Sequence, residues 1–490
     1  MNVKTRFAPS PTGFLHIGGL RTAFYNYLFA RKQGGKMVLR IEDTDQQRYV
    51  EGAIESLLRT LAITGIIYEE GPFSVNGTLE QRGDHGPYIQ SQRLAIYQKH
   101  AKELVESGKA YYCFCSSDRL AQLRYQQEIA KMPTKYDRHC LSLSKEEITK
   151  RLEQGESYVI RLLVPEGETS FEDVIRGRIT IANQEVDDQV LLKSDGFPTY
   201  HLAVVVDDHY MGITHIIRGE EWISSVPKHV LLYRAFGWEL PVFAHVPLIL
   251  NEDRSKLSKR QGDVAVEDYL AKGYLPEALL NFIALLGFNP KGNQEIYSVS
   301  ELTEEFALEK INKSGAIFNR EKLDWMNGMY IRQLPEETYL EYCQKFTLSD
   351  FGVSQEKLQR IYHVEKERLV RFDEIPSKIQ EYLIIPEYDV ALLVWKKSDV
   401  LDAKKHMEAL LRMCTDFPEA TWEDLPLIEK AIWQYIESNE IPSGNVLWPL
   451  RVALSGAQHS SSPFELLWVC GKEESLQRLQ CALQKVAASS

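Results

Sequence analysis

The sequence predicts an α/β protein in which a doubly wound, parallel sheet carries an α+β insertion and is followed by an all-helical C-terminal half. Three observations support this prediction. The chain opens with a strand–helix–strand pattern, a mixed segment separates this opening from a second region of buried-strand patterns, and helical patterns dominate after about Gln261. With 490 residues the chain is too long for one core, which suggests roughly three or four domains.

The opening consists of two predicted strands joined by a helix. Val3–Phe7 is the first strand, and the turn residues of Pro9–Gly13 end it. A helix begins at Gly18 and stops at Gly34, because apolar residues recur at helical spacing between them. Met37–Ile41 is the second strand, so the sheet is expected to be parallel. The apolar positions of the helix are Leu20, Ala23, Phe24, Tyr27 and Leu28.

The middle of the chain is predicted to leave the sheet and return to it. Gly71–Tyr88 is rich in Gly, Asn and Asp and is predicted as a loop, and Ser91–Ser107 is predicted as a helix. Gly108–Gly196 mixes short strands with a cysteine cluster and is predicted as the insertion. The apolar runs at Ala203–His209 and Thr214–Gly219 have the pattern of buried strands of the sheet.

Composition narrows the class of protein. The 57 basic and 69 acidic side chains give a net charge of −12. This charge alone argues against a nucleic-acid partner, although a large protein can confine its cations to one face. No segment approaches the roughly 18 apolar residues of a membrane span, and the N-terminus has no apolar or Arg-rich leader, so we expect a cytoplasmic protein with no membrane partner. Seven cysteines in this length do not suggest a disulfide scaffold.

Two separated motifs have the chemistry of phosphate binding. His16–Gly19 (HIGG) lies at the predicted strand-to-helix turn, where glycines let a phosphate chain approach and the helix N-terminus offers N–H donors. Lys256–Arg260 (KLSKR) places three cations on a loop, where they could neutralise charge on a transferring phosphorus. Each motif alone also fits a structural interpretation, either a tight turn that needs glycine or a solvated basic loop.

Together the motifs resemble the HIGH and KMSKS motifs of class I aminoacyl-tRNA synthetases. Longer stretches resemble the bacterial glutamyl-tRNA synthetase family over nearly the whole chain and in the family's order. PSPTG, HIGG, IEDTD and the helical ending favour the glutamyl branch over the glutaminyl branch, which typically shows PEPNG, HIGH and FDDTNP and ends in β-barrels. The matching stretches are RFAPSPTGFLHIGGLRTA, LRIEDTDQQR, GPYIQSQR, GFPTYHLAVVVDDH, IIRGEEW, LLYRAFGW, KLDWMNGMYIR, LRVALSG and FELLWVCGKEESLQRL.

Three other functions share some of these features. A small-molecule nucleotidylyltransferase of the same fold is short and lacks the helical half. A truncated relative that glutamylates a tRNA base lacks the anticodon domain. A non-catalytic tRNA-binding paralogue would be expected to have lost HIGG or KLSKR. The length of the chain and the presence of both motifs argue against all three.

The resemblance implies a Rossmann-type catalytic domain that ligates L-glutamate to tRNA(Glu) through a glutamyl-adenylate and releases AMP and pyrophosphate. The first step is an in-line displacement at phosphorus, so the protein mainly positions groups and stabilises charge. The resemblance also implies Mg²⁺ with ATP, and activation of glutamate only when tRNA is present. The implied catalytic residues are His16, Lys256 and Lys259. The implied ATP-binding residues are His16, Gly18, Gly19, Glu221, Trp222, Lys256, Ser258 and Lys259.

A second implied pocket binds the amino acid. A bidentate arginine is an efficient partner for a carboxylate side chain, and Arg6 and Arg218 occupy the family's candidate positions. Glu42 is implied to receive the substrate ammonium group. Val204, where some relatives carry Asn, is left out of the polar contacts. Taken singly, such an arginine also fits a surface position and a tyrosine also fits the core. The implied glutamate-binding residues are Arg6, Ala8, Ser10, Glu42, Tyr200 and Arg218.

A cysteine cluster resembles the zinc site of some family members. Zinc prefers four ligands in a tetrahedron, and two short ligand clusters joined by a loop can supply them. The family pattern often ends Cys-x-His, but Ser142 stands at that position here. Tyr136 or, alternatively, His139 could replace the missing ligand, and a set of reduced thiols without metal is the other interpretation. The candidate ligands are Cys113, Cys115, Tyr136 and Cys140.

The resemblance further implies how the chain is divided to bind tRNA. Arg371 resembles the position where an arginine helps to reject the glutamine anticodon, although most helix-end arginines contact only solvent or phosphate. We expect a monomer with tRNA(Glu), ATP and L-glutamate as partners. The implied divisions are residues 1–93 and 201–250 for the two halves of the catalytic domain, 94–200 for the acceptor-end insertion, 251–335 for the KLSKR loop and a stem-contact domain, and 336–385 and 386–490 for two anticodon-binding subdomains.

Overall fold

The computed structural model describes residues 2–257 and 265–489. The chain forms two compact units. The first consists of Met1–Leu270 and Pro276–Leu323, and the second of Ala271–Leu275 and Asp324–Ser490. None of the helices in the described ranges combines the length and apolar character that crossing a membrane requires.

The first unit contains strands and helices in a mixed order. Its strands are β1 (Lys4–Phe7), β2 (Lys36–Leu39), β3 (Gly71–Val75), β4 (Thr78–Arg82), β5 (Ala110–Cys113), β6 (Val159–Leu162), β7 (Glu168–Asp173), β8 (Gly177–Ala182), β9 (Val190–Leu192), β10 (His215–Gly219), β11 (Val242–Val246), β12 (Ile249–Leu250) and β13 (Ala316–Ile317). Its helices are α1 (Ile17–Lys32), α2 (Ala53–Ile63), α3 (Leu94–Glu106), α4 (Ser117–Ile129), α5 (Lys145–Glu153), α6 (Tyr200–Tyr210), α7 (Val226–Phe236), α8 (Val266–Ala271), α9 (Pro276–Leu285), α10 (Val299–Glu305) and the start of α11 (Arg320–Gln333).

The central sheet brings the two halves of the α/β region side by side. Strand β1 pairs in parallel with β2, and the Thr214 backbone N–H donates to the Lys4 carbonyl at 2.9 Å, which places β10 on the other side of β1. Strand β11 pairs in parallel with β10 and meets β7, and β8 pairs with β7 in antiparallel register. The predicted α/β class with a parallel sheet is therefore confirmed, within a sheet that is mixed at its edge.

Helix α1 connects β1 to β2, as the apolar spacing predicts. Its inward face is buried between sheet and neighbouring helices, whereas Tyr27 is only half-buried and stacks on Phe24 with ring centroids 6.1 Å apart. Gly34 follows the helix with a φ of 61°, a left-handed conformation that glycine adopts without strain. The buried apolar residues of α1 are Ile17, Leu20, Ala23, Phe24, Tyr25, Leu28, Phe29 and Ala30.

Two sequence-based predictions of local structure are wrong. Ala203–His209, predicted as a strand, lies inside helix α6, which is buried on all sides from Leu202 to Asp208. A fully buried run of β-branched residues does not distinguish the two structures by its periodicity. Gly71–Tyr88, predicted as a loop, contains the β3–β4 hairpin. The missed signal is Asn76–Gly77, whose φ values of 51° and 79° match a tight hairpin turn.

The insertion builds a sheet of its own. Strands β5, β6 and β9 pair in antiparallel register and pack with α3 and α6 around a core that includes Tyr97, Ile160 and Leu192. The β7–β8 hairpin falls between β6 and β9 in the chain but belongs to the sheet of β10 and β11. One hairpin of the predicted insertion, β7–β8, is therefore part of the central sheet.

The second unit is helical throughout its described part, as predicted. Its helices pack on buried aromatic and aliphatic side chains such as Tyr339, Phe372 and Leu479. Gly471 interrupts the last helix with φ 70° and ψ −178°. The helices are the end of α11, then α12 (Glu336–Phe346), α13 (Gln355–Glu365), α14 (Ile375–Leu383), α15 (Val400–Asp416), α16 (Glu419–Trp422), α17 (Leu425–Ser438), α18 (Ser443–Ser455) and α19 (Pro463–Ser489).

Candidate active site

A cavity of about 530 Å³ opens in the first unit at the carboxyl ends of β1, β2 and β10. Ligands of open parallel sheets bind at this edge. Every predicted ATP-site and glutamate-site residue that the structure describes lines the cavity, whereas Ser258 and Lys259 lie outside the described residues. The lining residues among those predicted are Arg6, Ala8, Ser10, His16, Gly18, Gly19, Glu42, Tyr200, Arg218, Glu221, Trp222 and Lys256.

One wall of the cavity is the N-terminus of α1. His16 caps the helix, and its Nδ1 accepts a hydrogen bond from the Gly19 backbone N–H at 3.1 Å. In neutral His16 the proton is therefore on Nε2, the atom that could donate to a phosphate oxygen. A Cβ at Gly18 would lie 3.1 Å from the His16 ring, and one at Gly19 would lie 2.7 Å from Leu15 Cδ1. Gly18 thus leaves room for the His16 ring at the helix end, and Gly19 leaves room for Leu15.

Leu257, in KLSKR, and Val266, which follows the motif, are hydrogen-bonded to residues that line the cavity. The Leu257 backbone N–H donates to the Ile249 carbonyl at 3.1 Å, and the Val266 N–H donates to the Leu15 carbonyl at 2.9 Å. Lys256 is exposed and lines the same cavity as His16. The HIGG turn and the first two residues of KLSKR, Lys256 and Leu257, therefore line one cavity although they are more than 200 residues apart in the sequence.

Arg218 also lines the cavity and is 5% exposed. Its Nη1 donates to the Tyr200 hydroxyl at 2.6 Å, its Nε to His245 Nε2 at 3.1 Å, and its Nη2 contacts His229 Nδ1 at 3.4 Å. Within residues 2–257 and 265–489, no carboxylate oxygen lies within the 4.0 Å ion-pair distance of its guanidinium. Burial lowers the pKa of Arg218 from its usual value, but a guanidinium remains charged. A buried cation with only neutral partners is suited to an anionic ligand.

Arg6, in contrast, belongs to a buried ionic network. Its Nε lies 3.3 Å from Asp208 Oδ1, which also accepts from Arg40 Nη1 at 2.7 Å. Arg40 Nη2 lies 2.9 Å from Glu42 Oε1. Burial raises the pKa of Glu42, and this effect outweighs the opposing charge of Arg40. The network fixes Arg6 and Glu42 side by side at the cavity wall.

The carboxylates that complete this network, Asp207 and Asp208, were not predicted from the sequence. Asp207 accepts from Arg93 Nε at 2.7 Å, from Gln90 Nε2 at 2.9 Å and from the Tyr97 hydroxyl at 2.8 Å. The signal was the acidic pair Asp207 and Asp208 inside an otherwise apolar run, because buried carboxylates need cationic partners.

A third part of the cavity wall follows β10. A Cβ at Gly219 would lie 2.1 Å from Glu221 Oε2, so glycine is what lets Glu221 fold back on this turn. Trp222 is 39% exposed, and its ring lies 4.6 Å from that of Tyr200. Arg21 also lines the cavity and donates from Nη1 to the Leu286 carbonyl at 2.9 Å. Val204 is buried in α6 and does not line the cavity.

The predicted zinc ligands lie together in the insertion. The sulfur atoms of Cys113, Cys115 and Cys140 lie within 4.8 Å of one another, and the sulfur of Cys115 is 3.5 Å from that of Cys140. Zinc–sulfur bonds of about 2.3 Å in a tetrahedron put sulfurs about 3.8 Å apart, so the spacing fits zinc. The Tyr136 hydroxyl is 3.3 Å from the Cys115 sulfur. Among the described residues, His139 offers no ligand atom to this group.

Arg371 lies in the second unit and is held by three acidic residues. It pairs with Asp373 at 3.0 Å, Glu374 at 3.4 Å and Asp324 at 3.6 Å. Its guanidinium also lies 6.0 Å from the centre of the Tyr274 ring. With 28% of its side chain exposed, Arg371 keeps a solvent-facing part.

Comparison with known proteins gives full-length matches. The family described as "tRNA synthetases class I (E and Q), catalytic domain" matches residues 2–325, and the family described as "Anticodon binding domain" matches residues 338–483. A glutamate–tRNA ligase of Lachnoclostridium phytofermentans is 47% identical over 499 residues, with 99% of each chain covered. Another, from Alkaliphilus metalliredigens, is 47% identical over 491 residues, with 98% of each chain covered. The crystal structure of a glutamate tRNA ligase from Elizabethkingia meningosepticum in complex with its amino acid has a TM-score of 0.87 at 36% identity and 99% coverage of both chains.

Proposed function

Because the chain belongs to the class I glutamyl-tRNA synthetases and ligates glutamate to tRNA with ATP, we propose that this reaction takes place in the cavity between His16 and Arg218. The observation that carries the proposal is that the HIGG turn, the start of KLSKR and a buried arginine line one cavity, and that this arginine has no carboxylate partner in the described part of the chain. One end suits phosphates and the other suits a carboxylate, as adenylate formation requires.

At the amino acid end, Arg218 binds the side-chain carboxylate of glutamate. Tyr200 accepts a hydrogen bond from Arg218, so its own hydroxyl proton points away and can be donated to the same carboxylate. Arg6 adds a second guanidinium to the pocket, and Glu42 receives the substrate ammonium group. Ala8 and Ser10, in the turn after β1, provide backbone and hydroxyl contacts.

At the ATP end, the start of α1 holds the phosphates. His16 donates from Nε2, and Gly18 and Gly19 leave the backbone open to the phosphate chain. The glutamate α-carboxylate attacks the α-phosphorus, the bond to the bridging oxygen breaks, and pyrophosphate leaves with its charge stabilised by Lys256 and Lys259. Ser258 contributes to phosphate binding, and Glu221 and Trp222 border the adenine. Mg²⁺ bound with ATP supplies further neutralisation of the phosphates.

We further propose that the thiol cluster holds zinc through Cys113, Cys115, Cys140 and Tyr136. The sulfur spacing supports this assignment, and zinc bound there would tie β5 to the turn before α5. In this proposal the zinc ion takes no part in adenylate formation and only stabilises the fold of the insertion.

The assignment of tRNA contacts follows the predicted division of the chain. Residues 94–200 bind the acceptor end, 251–335 contact the stem, and 336–490 read the anticodon of tRNA(Glu), with Arg371 rejecting tRNA(Gln). The family match of residues 338–483 to an anticodon binding domain supports the last part. The cytoplasmic location and the monomeric state stay predictions.

Glutamylation of tRNA(Glu) by an Arg218→Gln variant tests the assignment of the glutamate pocket. Removing the cation leaves the substrate carboxylate unpaired in a buried site, so we expect the KM for glutamate to rise at least about 100-fold. The KM for ATP should change little. An unchanged KM for glutamate would show that the substrate carboxylate binds elsewhere.

A further inference from the structure

Two buried histidines hold Arg218 from behind. His245 is fully buried in β11 and His229 is 1% exposed in α7, and neither lines the cavity. His245 Nε2 lies 3.1 Å from Arg218 Nε, and His229 Nδ1 lies 3.4 Å from Arg218 Nη2. These side chains therefore do not meet the substrate, but they fix the guanidinium that does.

The hydrogen bonds define the tautomer of His245. Since Nε2 accepts from Arg218, the proton must be on Nδ1, which donates to Asp173 Oδ2 at 2.7 Å. Asp173 is itself held by the backbone N–H groups of Ile175 and Arg176, at 3.0 and 2.9 Å, and of His245, at 3.1 Å. The carboxylate thus lies on the far side of the imidazole from Arg218 and does not pair with it.

His229, which contacts Arg218 Nη2, is in turn hydrogen-bonded to a third histidine, His201. Because His229 Nδ1 faces the guanidinium as an acceptor, its proton is on Nε2 and points to His201 Nδ1 at 3.1 Å. Burial lowers the pKa of His229 well below its usual value and that of His201 to about 3, with the charges of Arg218 and Lys228 adding to the effect. Both imidazoles are therefore neutral at pH 7.

The two arginines of the pocket, Arg6 and Arg218, differ in whether a carboxylate pairs with them. Arg6 already has a carboxylate partner in Asp208, at 3.3 Å, and its charge is largely compensated within the protein. Arg218 is oriented by three acceptors, none of which carries a negative charge. In a buried site, a cation without a direct ion-pair partner favours a charged ligand over a neutral one of the same shape.

We propose that His229 and His245 are positioning residues that set specificity: they orient Arg218 without forming an ion pair with it, so that the pocket takes a substrate side chain with a carboxylate and rejects the isosteric carboxamide. A carboxylate in place of either imidazole would orient Arg218 equally well. It would also neutralise the guanidinium before the substrate binds. The affinity of the pocket for glutamine would then be closer to its affinity for glutamate. The inference rests on the proposed role of Arg218 in binding the substrate carboxylate.

The matched pair His229→Asp and His229→Asn tests the proposal. Asp and Asn have the same shape, and either oxygen can replace Nδ1 as the acceptor, so the pair differs chiefly in charge. The ratio of kcat/KM for glutamate to that for glutamine is measured by amino-acid-dependent ATP–pyrophosphate exchange in the presence of tRNA(Glu). We expect His229→Asn to keep the ratio within about 5-fold of the wild type and His229→Asp to lower it at least about 10-fold. Equal ratios in the two variants would overturn the proposal.

A second variant keeps the test valid if His229→Asp does not fold. In Asp173→Asn, the amide can donate to His245 Nδ1, which moves the imidazole proton to Nε2, where it faces the Arg218 N–H. We expect the KM for glutamate to rise about 10-fold or more, with the KM for ATP unchanged. A parallel change in both KM values would indicate a general structural defect and would contradict the positioning role.

The Arg218→Gln variant separates failure of this inference from failure of the proposed function. If Arg218→Gln leaves the KM for glutamate unchanged, the assignment of the pocket itself is wrong. If Arg218→Gln raises that KM but His229→Asp behaves as His229→Asn does, the pocket is correct and the role of the histidines is wrong.

Discussion

Arg40 Nη1 lies 2.7 Å from Asp208 Oδ1, and neither side chain is more than 1% exposed. The pair joins the segment after β2 to helix α6, two elements that are 168 residues apart in the chain. Asp208 also accepts from Arg6 at the cavity wall, so one carboxylate couples the core of the first unit to the substrate pocket.

Asp208→Asn is expected to destabilise the first unit and weaken glutamate binding together. Neutralising one side of a buried ion pair leaves Arg40 and Arg6 without full compensation, at a cost of about 3–5 kcal/mol. The midpoint of denaturant unfolding and the KM for glutamate measure the two effects. Glu156→Gln is the control, because its pair with Arg151 is exposed on both sides and is worth about 1 kcal/mol or less. Asp208 is structurally unimportant if both variants unfold at the same denaturant concentration.

His16→Ala and His16→Asn separate the two roles of this histidine. Asparagine can still cap α1 by accepting from the Gly19 N–H, whereas alanine cannot and should cost about 1 kcal/mol of stability. Both variants lack the Nε2 donor, so the rate of glutamate-dependent pyrophosphate exchange should fall about 100-fold or more in each. Exchange at the wild-type rate by His16→Asn would show that capping is the only role of His16.

Gly219→Ala tests the position of Glu221. The new methyl group would lie 2.1 Å from Glu221 Oε2, and the carboxylate, at the end of a flexible side chain, must move away. If Glu221 borders the adenine, the KM for ATP should rise about 10-fold in Gly219→Ala, and a Gly219→Ala/Glu221→Ala double variant should be no worse than Glu221→Ala alone. Fully additive effects in the double variant would mean that Gly219 acts through some other contact.

Zinc content tests the thiol cluster. Purified protein should contain about one zinc per chain, since three sulfurs are already at the spacing of a tetrahedral site. Cys140→Ser should lose the metal and lower the melting temperature, while Cys481→Ser, which changes an exposed cysteine in the second unit, should do neither. A zinc-to-protein ratio near zero in protein purified without chelators rules the site out.

Local motifs and the family resemblance predicted the cavity lining, because Arg6, Glu42 and Arg218 lie within stretches that resemble the family's motifs. The residues that hold them in place could not be predicted in the same way. Asp208 lies 202 residues from Arg6, inside a run whose apolar character also fits a strand. Partners of this kind are defined only when distant elements pack together.

The same limit applies to the histidines behind Arg218. His245 follows an ordinary strand pattern, and its role depends on Asp173, 72 residues earlier, which the sequence analysis placed in the insertion. The hairpin that carries Asp173 belongs instead to the central sheet, where it meets β11. Sheet neighbours that are distant in sequence leave no local signal, so this contact had to come from the three-dimensional structure.

The most direct test of the account is glutamate-dependent ATP–pyrophosphate exchange by the full chain, with and without tRNA(Glu). If His16 and Arg218 face one another across the cavity in which the adenylate forms, glutamate should drive exchange when tRNA(Glu) is added, and glutamine should not. Exchange is expected to be negligible without tRNA. Absence of exchange with glutamate and tRNA(Glu), or equal exchange with glutamine, would contradict the assignment of this cavity as the site of glutamate activation.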